Sequence, residues 1–416
     1  MRTFAAGVAI DRWLLSRLRH VLGPISARVC LNGAETIPSQ DLSPPVTVRF
    51  SDRRTLASLL LDPEVAFGDG YSDGRIQVEG DLAAFLDDVY RMWPRGTRTR
   101  WPQLVSHWLD ICHANTRLGS RRNIHQHYDL GTDFFKLWLD RQLLYTCAYF
   151  PAPSATLEDA QEAKMEYVCR KLQLQPGESV VEAGCGWGAL ARYMARRRGV
   201  RVRAFNISRD QIQFARRMAA EEGLNGQVEF IEDDYRNITG HYDAFVSVGM
   251  LEHVGAGHYG EFRNVIFNSI GRSGRGLLHF IGRNHAAALS AWVRKRIFPG
   301  AYPPTLREAL AILEPQDYSV LDVENLPLHY ARTLEHWLER YEKSADQVTA
   351  MFGPWFTRAW RLYLAGSSVA FGTGSLQLFQ VVFAGPDSHW APWTRAYLYR
   401  DEPHPEKQTT WNRAMS

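Results

Sequence analysis

The sequence predicts an α/β fold: a Rossmann-like parallel sheet with a smaller α+β domain ahead of it. Three observations carry that prediction. From Ser179 the chain reads SVVEAGCGWGAL, a buried strand, a glycine turn and the start of a helix. Further apolar strand patterns follow with helical stretches between them, the alternation that builds a parallel sheet. Residues 1–90 carry short strand and helix patterns without that alternation. The expected organisation is a small domain at 1–90, a basic connector at 91–122, the α/β domain at 123–386 and a polar tail at 387–416.

Taken in order, residues 10–22 fit an amphipathic helix. Ile10, Trp13, Leu14, Leu18 and Val21 fall on one face, with Arg12 and Arg19 opposite and Arg17 inside the stripe. A core-facing helix is expected, with a membrane-surface helix as the alternative. Val46, Val48 and Phe50 alternate as a strand, and Leu56, Leu59 and Leu60 fit a helix. Asp69-Gly70 and Asp73-Gly74 are turn signals, Ile76 and Val78 a strand, and Leu82 to Tyr90 a helix. No chemical motif occurs in this domain. The connector crowds Arg91, Arg95, Arg98 and Arg100 near Trp93 and Trp101, either a solvated face or a match for an anionic lipid layer.

An aromatic segment follows. Phe134 to Leu139 reads as helix, and Tyr145, Cys147, Tyr149 and Phe150 as a loop closed by Pro151 and Pro153. Leu157 to Leu172 is a long helix leading to Pro176-Gly177. Glu182 then precedes Gly184, Gly186 and Gly188, which let the backbone turn sharply and approach a ligand, here a nucleoside-like cofactor. Strands are expected at Val200 to Ala204, Val228 to Ile231, Ala244 to Val248 and Leu277 to Ile281. Ligands in open α/β sheets sit beyond the carboxyl ends of strands, so Asn206 and Gln211 point toward the cofactor, and Glu252 and His279 lie on or just past adjacent strand ends. Val320, Val323 and Leu326 suit an edge strand. Leu376 to Phe383 suits a last strand, antiparallel at the sheet edge. The stretch ALSAWVRKRIFPGAYPP, with Trp292, Ile297 and Phe298 beside Arg294, Lys295 and Arg296, is either lipid-facing or an insertion packed on its own domain.

Composition narrows the classes. The chain has 416 residues at 45% hydrophobic content, enough for one large and one smaller domain. A net charge of +3 from 48 basic and 45 acidic residues argues against a dedicated nucleic-acid binder. Cys30, Cys112, Cys147, Cys169 and Cys185 are scattered and odd in number, so neither a disulfide framework nor a zinc motif is expected, and a reducing cytoplasm fits. No apolar run reaches transmembrane length, and the N-terminus lacks a signal-peptide pattern.

GCGWG between strand and helix resembles the cofactor loop of S-adenosylmethionine-dependent methyltransferases. HYDLG (His127 to Gly131), YTCAYF (Tyr145 to Phe150), EAGCGWG, SVGMLEHVG (Ser247 to Gly255), LLHFIG and HYARTLEHW (His329 to Trp337) together resemble the cyclopropane-fatty-acyl-phospholipid synthase and mycolic acid cyclopropane synthase family, in the family's order. The resemblance implies a class I methyltransferase sheet and two small ligands, S-adenosylmethionine and bicarbonate. It implies cofactor contacts at Tyr145, Glu182, Gly184, Cys185, Gly186, Trp187, Gly188, Asn206, Ser208, Gln211, Asp234 and Tyr235. Gln211 would take the ribose hydroxyls and the Asp234-Tyr235 turn the adenine. Bicarbonate would be held by Cys147, Glu252, His279 and Tyr330 with the backbone of Ile281, and Tyr145 would border the reacting carbon. Three residues depart from the family's pattern: Thr146 for serine, Asn206 for threonine, and Phe280 for threonine beside the anion site.

The implied activity is methyl transfer to the cis double bond of an unsaturated phospholipid acyl chain, then closure of a cyclopropane ring as bicarbonate removes a proton. A methyl-branched olefin is the alternative product. A small-molecule methyltransferase and a non-catalytic lipid-binding protein are further rivals. The implied setting is cytoplasmic, at the inner face of the membrane, with peripheral contact to anionic lipid and a homodimeric state.

Overall fold

The computed structural model describes residues 9–18, 26–32, 34–35, 46–92 and 130–399. The expected connector from Trp93 onward, His127 to Asp129, and the tail past Tyr399 lie outside the described residues.

The small domain begins with helix α1 (residues 9–18). There follow β1 (Arg28–Leu31), β2 (Ala34–Glu35), β3 (Thr47–Phe50), α2 (Arg53–Leu61), α3 (Pro63–Ser72), β4 (Ile76–Glu79) and α4 (Leu82–Met92). Its sheet runs β2-β1-β3-β4, with β1 and β3 parallel and the outer pairs antiparallel. Two expectations are corrected. The buried stripe of α1 is Asp11, Leu14, Leu15 and Leu18, while Ile10 and Trp13 are 48% and 56% exposed. Arg53 draws Asp11 inward, with Nε donating to Oδ1 at 2.5 Å, and that ion pair rotates the helix from its most apolar setting. Asp69-Gly70 is no turn but part of α3. Asp62 accepts from Val65 N–H, and Pro63 sits at the first position, so the helix is well started. The glycines there serve packing: a Cβ on Gly68 would stand 2.3 Å from the Trp292 indole.

The large domain comprises α5 (Thr132–Lys136), α6 (Leu157–Leu172), β5 (Ser179–Ala183), α7 (Ala189–Arg198), β6 (Arg201–Asn206), α8 (Arg209–Glu221), β7 (Val228–Glu232), β8 (Ala244–Val248), α9 (Leu251–Val254), α10 (Tyr259–Ile270) and β9 (Arg275–Gly282). It continues through α11 (Ala291–Arg296), α12 (Leu306–Leu310), β10 (Ser319–Asn325), α13 (Pro327–Lys343), α14 (Ala345–Phe352), α15 (Pro354–Gly372) and β11 (Gln377–Ala384). Sheet order is β10-β11-β9-β8-β5-β6-β7. Strands β5 to β9 are parallel, and β11 is antiparallel to both neighbours. The last strand is therefore not at the edge: β10 pairs outside it, so every residue of β11 is buried. Chain order reverses at β5, flanked by β6 and β8, which opens a crevice at its carboxyl end. Strand β5 is covered on both faces, which accounts for consecutive Val180 and Val181.

The segment expected either to face lipid or to pack on its own domain instead joins the two domains. Trp292 is buried, its Nε1–H donates to Asp69 at 3.1 Å, and Arg296 makes a two-bond contact with the same carboxylate. Glu64 accepts from the Ala291 N–H, and Ile297 is buried. Helix α15 lies along α3 and α4, and Arg358 donates to the carbonyls of Tyr71 and Ile76. One continuous apolar cluster consequently runs from Leu14, Val48 and Ile76 to Trp138, Trp337 and Trp360. The tail is docked as far as Tyr399: Asp387 pairs with Arg272, Arg275 stands 3.6 Å over the Trp390 ring, and Leu398 is buried.

Candidate active site

The crevice carries a glycine turn made of three residues at positive φ, Gly184 (+86°), Gly186 (+54°) and Gly188 (+77°). Gly188 also answers a packing demand, since a Cβ there would meet the Phe230 ring at 2.5 Å. The N–H groups of Gly184 and Cys185 donate to Phe205 O, and Cys185 O accepts from Gly188, so Cys185 shapes the turn from within. Trp187 turns its indole away from it: Nε1–H donates to Thr132 at 3.0 Å, the ring lies 4.9 Å from Phe135, and its carbonyl accepts from Arg192. Trp187 is thus an aromatic-core residue that braces the loop.

Past β6, Asn206 Nδ2 donates to Gln211 Oε1 at 2.6 Å and to Gly186 O at 3.2 Å, while its Oδ1 accepts from Ser208 N–H. A threonine has one hydroxyl donor and could not serve both acceptors, so the departure at 206 ties the glycine turn to α8. With Oε1 occupied, the buried Gln211 amide presents Nε2 with no partner among the described residues, a donor available to a ligand hydroxyl. Glu182 is buried, its Oε2 is equally unpartnered, and burial pushes its carboxyl up to about 8. The Asp234 carboxylate accepts from Arg236 N–H and pairs with its guanidinium at 3.2 Å, so its side chain is committed to holding the turn. Tyr235 packs edge-on against Phe262. Open glycine backbone and orphaned buried polar groups at the sheet's switch point fit a nucleoside-bearing cofactor.

The second half of the site stands on β8, β9 and the loops facing them. Ile281 N–H donates to Glu252 Oε1 at 3.4 Å, and Glu252 Oε2 has no partner among the described residues. Burial raises the Glu252 carboxyl to about 7. His279 Nδ1 pairs with Gln380 Nε2 at 3.0 Å across the β9–β11 register. With the amide N–H donating to Nδ1, the proton stays on Nε2, which is buried without a partner among the described residues. Burial holds this imidazole well below its ordinary value, so it is neutral. Phe280 projects to the other face of β9, 5.7 Å from the Phe379 ring and inside the core beneath the sheet. It forms no wall beside His279, contrary to the expectation for that departure.

Tyr145 lies in a nest of rings, with centroids 5.4 Å from Phe135 and 5.3 Å from both Trp138 and Trp337, and its hydroxyl hydrogen-bonds Tyr363 at 2.8 Å. Cys147 is fully buried, its Sγ–H donates to Ala148 O, and burial pushes the thiol well above its usual range, so no thiolate is available. Ala148 N–H donates to Thr333, one turn along α13 from Tyr330, whose ring stacks on Phe371 at 4.4 Å. The structure thereby joins the Cys147 loop to the Tyr330 helix, and Glu252 to the end of β9. Sequence reasoning missed Gln380, Lys164 and Tyr363. Their positions are fixed by strand pairing and helix packing, and none carries a motif.

Residues 116–381 match the family model described as mycolic acid cyclopropane synthetase. A probable fatty acid methyltransferase of Pseudomonas putida is 32% identical over 372 residues, 86% of this chain and 92% of that protein. The cyclopropane-fatty-acyl-phospholipid synthase of Escherichia coli K12 is 33% identical over 82% of this chain and 88% of that one. Among solved structures, the cyclopropane synthase MmaA2 of Mycobacterium tuberculosis superposes with a TM-score of 0.61 at 28% identity, covering 64% of this chain and 98% of the other. The glycine turn, the switch-point crevice and these likenesses agree: the chain belongs to the mycolic acid cyclopropane synthetase family of S-adenosylmethionine-dependent methyltransferases.

Proposed function

We propose that the protein methylates the cis double bond of an unsaturated fatty-acyl chain carried on a phospholipid, with a methyl-branched olefin as its product. Similarity to a fatty acid methyltransferase over nearly the whole chain supports this reading. S-adenosylmethionine supplies an electrophilic methyl group; Gly184 to Gly188, Gln211 and the Asp234-Tyr235 turn would hold it. An isolated double bond is a weak nucleophile, so the chain's own work is alignment and exclusion of water. The rings of Phe135, Trp138 and Trp337 around Tyr145 provide an apolar wall for both tasks. Tyr145 and its neighbours offer π electrons to the positive charge that develops on the chain.

The carbocation left on the acyl chain must lose a proton. Loss from the chain gives the olefin; loss from the new methyl gives a cyclopropane. One observation favours ring closure as a second reading: the buried pair of Glu252 Oε2 and His279 Nε2, one an acceptor and one a donor, both without protein partners among the described residues. Cys147, Glu252, His279 and Tyr330, with the backbone of Ile281, would hold bicarbonate, which supplies a base small enough to lie beside the new methyl.

No helix among the described residues is long and apolar enough to cross a membrane. We place the enzyme on the cytoplasmic face of an anionic bilayer, as a homodimer. The exposed Ile10 and Trp13 of α1, flanked by exposed Arg12 and Arg17, supply an apolar and basic contact for that surface. The deciding experiment uses S-adenosylmethionine with a fully deuterated methyl and vesicles of unsaturated phospholipid. A product keeping all three deuterons is the branched olefin, one keeping two is the ring, and no lipid label at all refutes acyl methylation.

A further inference from the structure

The turn carrying Tyr145 and Cys147 is held from beneath by groups that neither cofactor nor lipid chemistry calls for. Leu143 sits at a φ of +57°, a conformation that costs a branched residue free energy and persists only where surroundings enforce it. Asp140 enforces it, accepting from Gln142 N–H at 2.8 Å and Leu144 N–H at 2.9 Å. Helix α6 clamps the next residues. Gln161 Nε2 donates to the carbonyls of Leu144 (3.2 Å) and Thr146 (2.9 Å), and Lys164 Nζ donates to Thr146 Oγ1 at 2.7 Å. The Thr146 methyl approaches the Gly249 turn so closely that a Cβ on Gly249 would stand 2.8 Å from it. Gly249 N–H in turn donates to His279 O at 2.8 Å, and Glu252 follows three residues on.

Lys164 is fully buried. The titratable groups facing it are Asp140, Cys147, Glu182 and His279, drawn from the turn, from β5 and from β9. An enclosed ammonium is costly, and a methionine would fill the space without that cost. A local rule broken in this way is expected at a working site.

We infer that Lys164 is a positioning residue for the reaction: through Thr146 it fixes the turn bearing Tyr145 and Cys147 against the Gly249 turn that leads to Glu252. This rests on the acyl-methylation reading, which wild-type product formation tests separately.

The test compares the full-length protein with Lys164→Met, Thr146→Val, Thr146→Ser and the Met/Val double variant, on unsaturated phospholipid vesicles. Thr146→Val keeps the shape of the side chain and removes the oxygen. Lys164→Met and Thr146→Val should each lower kcat about 10- to 100-fold, with the KM for S-adenosylmethionine moving less than about 3-fold. The double variant should be no slower than the slower single one, because both break one contact. Thr146→Ser should keep most of the rate. Unchanged kcat in folded Thr146→Val, or losses that multiply in the double variant, would each overturn the inference. If Lys164→Met does not fold, the Thr146 pair decides. A wild type that labels no lipid refutes the underlying reading instead.

Discussion

Replacing Glu252 by glutamine should make the enzyme slower and, at alkaline pH, more stable. The carboxyl is buried and held at about 7 against an ordinary 4.5. Below pH 4.5 it is protonated in folded and unfolded chains alike, and burial carries no charge penalty. Between 4.5 and 7 the unfolded chain releases the proton and the folded one retains it, so stability falls as pH rises. Above 7 the penalty is complete, about 3 kcal/mol at about 1.4 kcal/mol per pH unit. Glutamine keeps an oxygen for the Ile281 N–H and removes the charge. The variant should therefore match wild type near pH 4.5 and exceed it by up to about 3 kcal/mol near pH 8, a rise of a few degrees in the thermal midpoint. Turnover should fall about 100-fold, the usual scale for loss of a general-base site, with cofactor affinity little changed. If ring closure occurs, added bicarbonate should speed the wild type, and the variant should lose ring product more than olefin. Scanning calorimetry from acid to alkaline pH, run beside the deuterium assay, reads both effects. Equal midpoints at every pH would refute the burial argument, and full turnover in the variant would remove Glu252 from the chemistry.

Other perturbations separate the remaining roles. Gln380→Leu removes the partner of His279 Nδ1 and should cost about 10-fold in rate, with nitrogen NMR showing a mixture of tautomers. Gly188→Ala combines a positive φ with a 2.5 Å clash on Phe230, and should destabilise the fold by about 2–4 kcal/mol and weaken cofactor binding in calorimetry. Trp292→Ala should cost about 3–5 kcal/mol in denaturant unfolding and leave vesicle flotation unchanged, because the indole is packed on Gly68 and not exposed. Trp13→Ala with Arg12→Glu and Arg17→Glu should abolish flotation on anionic vesicles at low salt while hardly moving the thermal midpoint.

The strands and helices around the glycine turn were legible because their signals are local. Val180 and Val181 before Gly184, Pro176-Gly177 after α6 and the alternation of strand and helix each act within a few residues. Reading failed where a distant partner set the outcome. Asp11 belongs to the buried face of α1 only because Arg53 reaches it from α2. Trp292 looked like a lipid anchor because an aromatic beside three basic residues has the same local pattern whether it meets a membrane or Asp69 of the same chain. Phe280 was placed beside the anion site by its neighbour His279, yet adjacent residues on a strand face opposite sides of the sheet.

The sequence by itself determined the sheet's glycine turn and the family motifs, since residue type and short spacing suffice for each, and the candidate site residues followed from the family resemblance those motifs carry. Tertiary structure alone decided how those residues are used. It set the His279 tautomer through Gln380, committed the Trp187 indole to the aromatic core, and gave Asn206 two acceptors at once. It also placed Lys164 under Thr146. It merged the small domain and the aromatic nest around Tyr145 into one apolar core, through α15 and the Trp292 contact. The physical reason is common to all of these. Burial, strand register and the direction of a hydrogen bond depend on which distant surfaces meet, and that is settled only when the whole chain packs.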